Sequence, residues 1–280
     1  MSSFSGIRAV MLDWAGTTVD HGSVAPVVVL QKLFAGRQVE LTAEEARRDM
    51  GLLKRDHIRT LLETPSIRNR WSTVTGCAPV AEDIDSLFED FRSLQPGILA
   101  AHSQVIERVA ETVSRWQAQG LRVGSSTGYT REMLLPIVAQ AAEQGYRPDA
   151  AVCPDDVGGG RPAPWMLQRN AQMLDVYPPV ACVKIGDTVS DIEEGRNAGM
   201  WTIGITRTGN LIGLDAATWK QLSATERQAR LGAAAKTLFA AGADYVAEDV
   251  AGCDDILAEI DNRLREENRK AGMAWASNGH

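Results

Sequence analysis

Cysteine is sparse in this 280-residue sequence and carries no ligand spacing: Cys77, Cys153, Cys182 and Cys253 are scattered, without a CxxC pair. Reduced, mostly buried thiols in a cytoplasmic protein are therefore expected. Long apolar runs are missing too. The fullest, Val-Ala-Pro-Val-Val-Val-Leu at 24–30, soon meets Gln31 and Lys32, so no membrane span is expected. The opening residues, Met-Ser-Ser-Phe-Ser-Gly-Ile-Arg, hold no secretory apolar stretch. Positive charge is in the minority, 29 Lys and Arg against 36 Asp and Glu, a net −7 that argues against a nucleic-acid or anionic-membrane partner. It leaves room for an anionic small molecule, because a few local cations and a metal can set the sign of one pocket. Hydrophobic residues, at 44%, supply ample core, and the length suggests a main domain with a smaller companion.

What is present is a run of short apolar segments that each end in polar residues. Ile7-Arg-Ala-Val-Met-Leu-Asp-Trp14 leads into Gly16-Thr17-Thr18 and reads as a buried strand whose end emerges in a polar loop. Leu121–Gly124 ends in Ser125-Ser126-Thr127-Gly128, Ala150–Cys153 in Pro154-Asp155-Asp156, and Val180–Ile185 in Gly186-Asp187-Thr188; Trp201–Ile205 and Ala243–Val246 look like two more strands. Helical patterns lie between them, at Gln104–Ala118, Arg131–Glu143, Ala163–Leu174, Asp191–Ala198 and Ala224–Ala240. The alternation predicts an α/β fold with a Rossmann-like parallel sheet, whose ligand site lies beyond the carboxyl ends of the strands.

The stretch 21–99 breaks the alternation. It reads as helix after helix, Ala25–Ala35, Ala43–Met50, Lys54–Leu62 and Ala81–Leu94, with no convincing strand. An inserted all-helical cap domain at 21–99 is expected, joined by hinges near 19–24 and 95–103 to a catalytic core made of 1–20 and 100–268. Residues 269–280 look like a frayed tail.

Asp13 and Asp187 each follow an apolar strand. Two carboxylates at neighbouring strand ends repel unless a cation sits between them, and an all-oxygen site suits Mg²⁺. Thr127 suits a phosphoryl oxygen, and Arg161, in Gly160-Arg-Pro, suits its charge. Each has an ordinary reading: an Asp as turn former, Thr127 as a helix N-cap, Arg161 as a solvated loop residue, Asp191 as a first-turn structural residue. The ordered set of strand-end residues is the specific signal, and it matches what phosphoryl transfer requires.

Asp13-Trp-Ala-Gly-Thr-Thr, Thr127, Arg161 and Gly186-Asp187-Thr-Val-Ser-Asp191 resemble, in order, the four motifs of the haloacid dehalogenase superfamily. The resemblance implies that Asp13 is the nucleophile that takes the phosphoryl group. The superfamily usually carries a second Asp two positions on, the acid that protonates an ester leaving group, and here that position is Ala15. A methyl group donates no proton, which points to a leaving group of another kind. Met50-Gly-Leu-Leu-Lys54-Arg-Asp-His57 in the insertion supplies an electron sink, a lysine amine able to condense with an aldehyde. Helical spacing would set Met50 and His57 on the face of Lys54, with Gly51 interrupting. In isolation such a lysine reads as a surface charge.

The two segments together closely resemble the phosphonoacetaldehyde hydrolases (phosphonatases), over core and cap alike. That resemblance implies a Schiff base on Lys54, substrate contacts from Met50, His57, Thr127 and Arg161, Mg²⁺ held by Asp13, the Ala15 carbonyl and Asp187, support from Asp191, and a homodimer through the caps. One rival is a phosphate-ester phosphatase or phosphomutase of the superfamily, disfavoured by Ala15. A metal-independent haloacid dehalogenase is disfavoured by Gly-Asp187-Thr and Lys54. A catalytically silent binding protein on this fold would have little reason to keep the whole set.

Overall fold

The computed structural model describes residues 4–270. Its sheet has the order β3-β2-β1-β4-β5-β6, every neighbouring pair parallel. The strands are β1 (Ala9–Leu12), β2 (Arg122–Ser126), β3 (Ala150–Val152), β4 (Cys182–Gly186), β5 (Trp201–Ile205) and β6 (Tyr245–Ala247). β1 is fully buried, the continuous apolar run of a strand covered on both faces. The chain first builds the sheet to one side of β1 and then, from β4, to the other. The crevice at the strand ends beside β1 is thus the switch point where α/β folds hold ligands. Register does the rest. Leu12 lies opposite both Ser125 and Ile185, so Asp13, Thr127 and Asp187 leave the sheet side by side.

Between β1 and β2 stand α1 (Val24–Ala35), α2 (Ala43–Arg47), α3 (Lys54–Glu63), α4 (Pro65–Thr75) and α5 (Ala81–His102), the all-helical cap. Further on come α6 (Val109–Ala118), α7 (Arg131–Glu143), α8 (Trp165–Met173), α9 (Val189–Asn197), α10 (Ala216–Gln221), α11 (Ala224–Ala240) and α12 (Asp254–Lys270). One apolar cluster runs from Val10, Leu12, Val183 and Ile203 in the core through Leu30, Phe34, Leu61 and Phe91 in the cap. Where the chain leaves and re-enters the core, the two crossings are bonded to each other: Val19 bridges Val105 antiparallel, Asp20 N–H donates to Gln104 O at 3.1 Å, and Ile106 N–H to Thr18 O at 2.9 Å.

This pairing explains why α6 begins at Val109 and not at Gln104: residues 104–106 spend their backbone groups on the crossing. α5 also differs from expectation. It runs through Pro96 and Gly97 to His102, across the segment read as a hinge, because packing along α1 and against α7 outweighs two helix-breaking residues. α4 has a sequence too polar to signal a helix; it buries only Ile67 and Trp71, one turn apart. α10 and α12 were not foreseen either. Of the tail expected at 269–280, Arg269 and Lys270 continue α12, and the remainder lies outside the described residues. Among the described residues no helix is long and apolar enough to cross a membrane.

Candidate active site

The loop after β1 is tied down by its own threonines. Thr18 Oγ1 donates to the Asp13 carbonyl at 2.9 Å, and Thr17 Oγ1 donates to Asp187 Oδ1 at 3.0 Å. Gly16 has φ +85°, and a Cβ there would collide with the Asp187 carboxylate, so both the turn and the close approach require glycine. The spacing Asp13-x-x-Gly-Thr-Thr is the local cause of the loop after β1 lying against Asp187. Asp191 opens α9 as a capping box: Thr188 Oγ1 accepts from Asp191 N–H at 3.2 Å, and Asp191 Oδ2 accepts from Thr188 N–H at 3.1 Å.

Asp13, Asp187 and Asp191 are all buried and bring carboxylate oxygens within 4.8 Å of one another. Arg161, 5% exposed, fits among them. It donates to Asp13 Oδ1 at 2.6 Å and, through Nε, to Glu194 Oε2 at 2.9 Å, and it lies 2.9 Å from Asp191 Oδ1. Lys184, inside β4, lies 2.9 Å from Asp191 Oδ1 and 3.4 Å from Glu194 and donates to Ser126 Oγ at 2.9 Å. Two fixed cations thus face four buried carboxylates. The three aspartates form an all-oxygen donor set that could hold a divalent cation.

Titration follows from this crowding. Burial, then the charges of Asp13 and Asp191, push the Asp187 carboxyl well above its ordinary range. Burial and Asp191 raise Asp13 against the pull of Arg161. Asp191 goes the other way: burial is outweighed by Arg161 and Lys184, which hold it ionised. A cation between Asp13 and Asp187 would remove the repulsive part of the first two shifts.

Lys54 arrives from the cap. It is the first residue of α3, only 4% exposed, with Nζ 3.6 Å from Met50 Sδ and 5.7 Å from the centre of the Tyr129 ring. Burial, assisted by the charge of Arg161 and opposed by Asp13, lowers its pKa to about 8. A helix N-terminus also disfavours a cation. Met50 does not precede Lys54 on one helix, as spacing suggested; α2 ends at Arg47, and Met50 meets the amine from the intervening turn. Asp13, Ala15, Met50, Lys54, Thr127 and Arg161 line one cavity. Thr127 Oγ1 accepts from Tyr129 N–H at 3.2 Å, which leaves its proton for a ligand. His57 is fully buried on α3 outside the cavity lining, and burial followed by the charge of Lys54 pushes its imidazole down to about 3, hence neutral.

Sequence reasoning missed Lys184, Glu194 and Tyr129. A lysine inside the apolar run Val-Ala-Cys-Val-Lys-Ile-Gly was a usable signal for the first. Glu194, three residues after Asp191 and so on its helix face, was one for the second.

Comparison with known proteins fits this geometry. The haloacid dehalogenase-like hydrolase model matches residues 7–199. A phosphonoacetaldehyde hydrolase from Bacillus cytotoxicus is 44% identical over 92% of this chain and 97% of its own length. The chain belongs to the phosphonoacetaldehyde hydrolase family of haloacid dehalogenase-like hydrolases. A second member, from Bacillus cereus, is 43% identical over the same shares of the two chains. Among solved structures, a phosphonoacetaldehyde hydrolase-like protein from Oleispira antarctica superposes with a TM-score of 0.92 at 41% identity, covering 95% of this chain and 96% of that one.

Proposed function

We propose that this hydrolase cleaves the carbon–phosphorus bond of phosphonoacetaldehyde to give acetaldehyde and phosphate, with Lys54 and Asp13 as its covalent groups. The observation that carries the reading is a buried amine and a buried carboxylate lining one cavity, with Ala15 where an ester-cleaving relative needs an acid. The names of relatives such as the Bacillus cytotoxicus protein support the same bond and substrate.

Neutral Lys54 adds to the aldehyde and loses water, giving a protonated imine. Asp13 attacks phosphorus, and the C–P bonding pair moves into the imine to form an enamine. The phosphoryl group is now on Asp13. Water hydrolyses the acyl phosphate, the enamine takes a proton on carbon, and a second hydrolysis frees acetaldehyde and Lys54. Arg161 and Thr127 would hold phosphoryl oxygens while Arg161 keeps Asp13 oriented. Asp13, the Ala15 carbonyl and Asp187 would hold Mg²⁺, with Asp191 supporting; the ion supplies charge neutralisation at the phosphoryl group. Met50 and neutral His57 dress the amine with poorly hydrating surroundings, which keeps its pKa low. The cap, taken as residues 21–99, would open on the crossings at 18–20 and 104–106 to admit substrate.

Borohydride with phosphonoacetaldehyde present should inactivate the enzyme and leave a secondary amine on Lys54. Lys54→Arg should lose C–P cleavage, since a guanidinium forms no imine. Retained cleavage in that variant, or label on Lys32 or Lys184 instead, would overturn the assignment. We further propose a homodimer through the caps, where Val74, Val80 and Leu94 are exposed apolar side chains; light scattering giving a monomer mass would dismiss it.

A further inference from the structure

The amine and the metal-site carboxylate are on different parts of the chain, and one side chain joins their supports. Arg47, at the end of α2, donates to Gly22 O at 2.8 Å and Ser23 O at 3.2 Å, where the chain enters the cap. The same guanidinium donates to Asn210 Oδ1 at 3.2 Å and to Gly213 O at 2.9 Å, on the loop after β5. Asn210 answers by donating its Nδ2 to Arg47 O at 3.0 Å.

That exchange is one link in a continuous series. Asn210 N–H donates to Asp187 Oδ2 at 2.7 Å. Arg47 O, besides taking Asn210 Nδ2, accepts from Met50 N–H at 3.2 Å, and Met50 Sδ touches Lys54 Nζ. Met50 O in turn accepts from Ser190 Oγ at 3.3 Å, beside Asp191. Asn210 is buried, and Arg47 is partly buried with the charges of Asp20 and Asp187 both acting on it.

We propose that Arg47 and Asn210 are positioning residues that clamp the segment bearing Met50 and Lys54 onto the core loop that holds Asp187. The planar fork of a guanidinium can serve several carbonyls in fixed directions, which a lysine in its place cannot do. The clamp forms only when the cap entry at 22–23, the end of α2 and the 210–213 loop are together, so it reports closure of the site. It fixes how far the amine stands from the nucleophile's neighbour. This inference rests on the proposed roles of Lys54 and Asp187.

Hydrogen exchange by mass spectrometry on the full-length enzyme without substrate tests it directly. In Arg47→Ala and in Asn210→Ala, amides in 43–54 and in 208–214 should exchange faster together, by roughly tenfold or more, as expected on losing hydrogen bonds to a charged group. Amides of β1 and β4 should be unchanged. Faster exchange in only one of the two segments, or in neither, overturns the clamp. Kinetics give the second readout. Because closure becomes less populated, KM for phosphonoacetaldehyde should rise by roughly tenfold with kcat held within a few-fold, and millimolar guanidinium should bring KM of Arg47→Ala back down. A fall in kcat at constant KM, unrelieved by guanidinium, also overturns it, since that is the mark of a merely damaged fold. Should the unaltered enzyme leave phosphonoacetaldehyde intact, the proposed function fails and the exchange pattern still decides the clamp.

Discussion

Lys54 holds a position that stability alone would not choose. Its ordinary pKa lies near 10.5 and the folded value is about 8, so between those values the unfolded chain binds more protons than the folded one. Stability therefore rises with pH across that window, and below about pH 8 the buried ammonium is a standing cost on the order of 3 kcal/mol. Lys54→Met should remove this cost: the variant should unfold at higher denaturant concentration than the parent at pH 7 while forming no imine. A midpoint at or below the parent's would show that the ammonium is better accommodated than its burial implies. Under the proposed mechanism the same shift would set the pH profile of the chemistry. With a pKa of about 8, about one amine in ten is neutral at pH 7, against about one in a few thousand for an unperturbed lysine. The rate constant kcat/KM should climb with pH, bend near 8 and level off above it; a climb continuing to pH 10 would leave the depressed amine without support. None of this was legible in Lys-Arg-Asp-His, which looks like a solvated surface. Only Ala15, by withholding an acid, drew attention to Lys54.

At the scale of elements, the turn between α2 and α3 is where the cap meets the core. Gly51 there has φ +96°, and a Cβ on it would collide with the hydroxyls of Ser190 and Thr188 at the start of α9. Gly51→Ala should therefore strain the backbone by about 1–2 kcal/mol and also hold Lys54 away from the cavity. We expect at least a tenfold loss in the rate of borohydride labelling at Lys54, with a melting temperature only slightly lowered; labelling at the parental rate would mean that the turn yields easily. The sheet strands and their order of polar endings were readable because period and burial agree in each. α4 and α10 were not, since they bury one or two side chains each and their identity as helices is decided by what they pack on. Lys184 and Glu194 escaped notice for a related reason. A strand interior is where charge is least expected, and the pairing of Glu194 with both Arg161 and Lys184 exists only after the fold brings β4, α9 and the 160–162 loop together.

For the molecule as a whole, the buried carboxylates are a reserve of repulsion that a divalent ion would relieve. Adding Mg²⁺ should raise the melting temperature, by roughly 2–4 °C for each kcal/mol of relief, and chelation should end phosphate release. Asp187→Asn should melt above the metal-free parent and respond little to Mg²⁺. An equal response in both would move the ion away from Asp187. Asp13 and Lys54 line a cavity built within a single polypeptide, although one belongs to the core and the other to the cap. An allele dead at Asp13 and an allele dead at Lys54 therefore have nothing to lend one another. Co-expressed, they should fail to complement even if the chains pair through their caps, and recovery of C–P cleavage would mean that working sites are assembled by exchange of caps between chains.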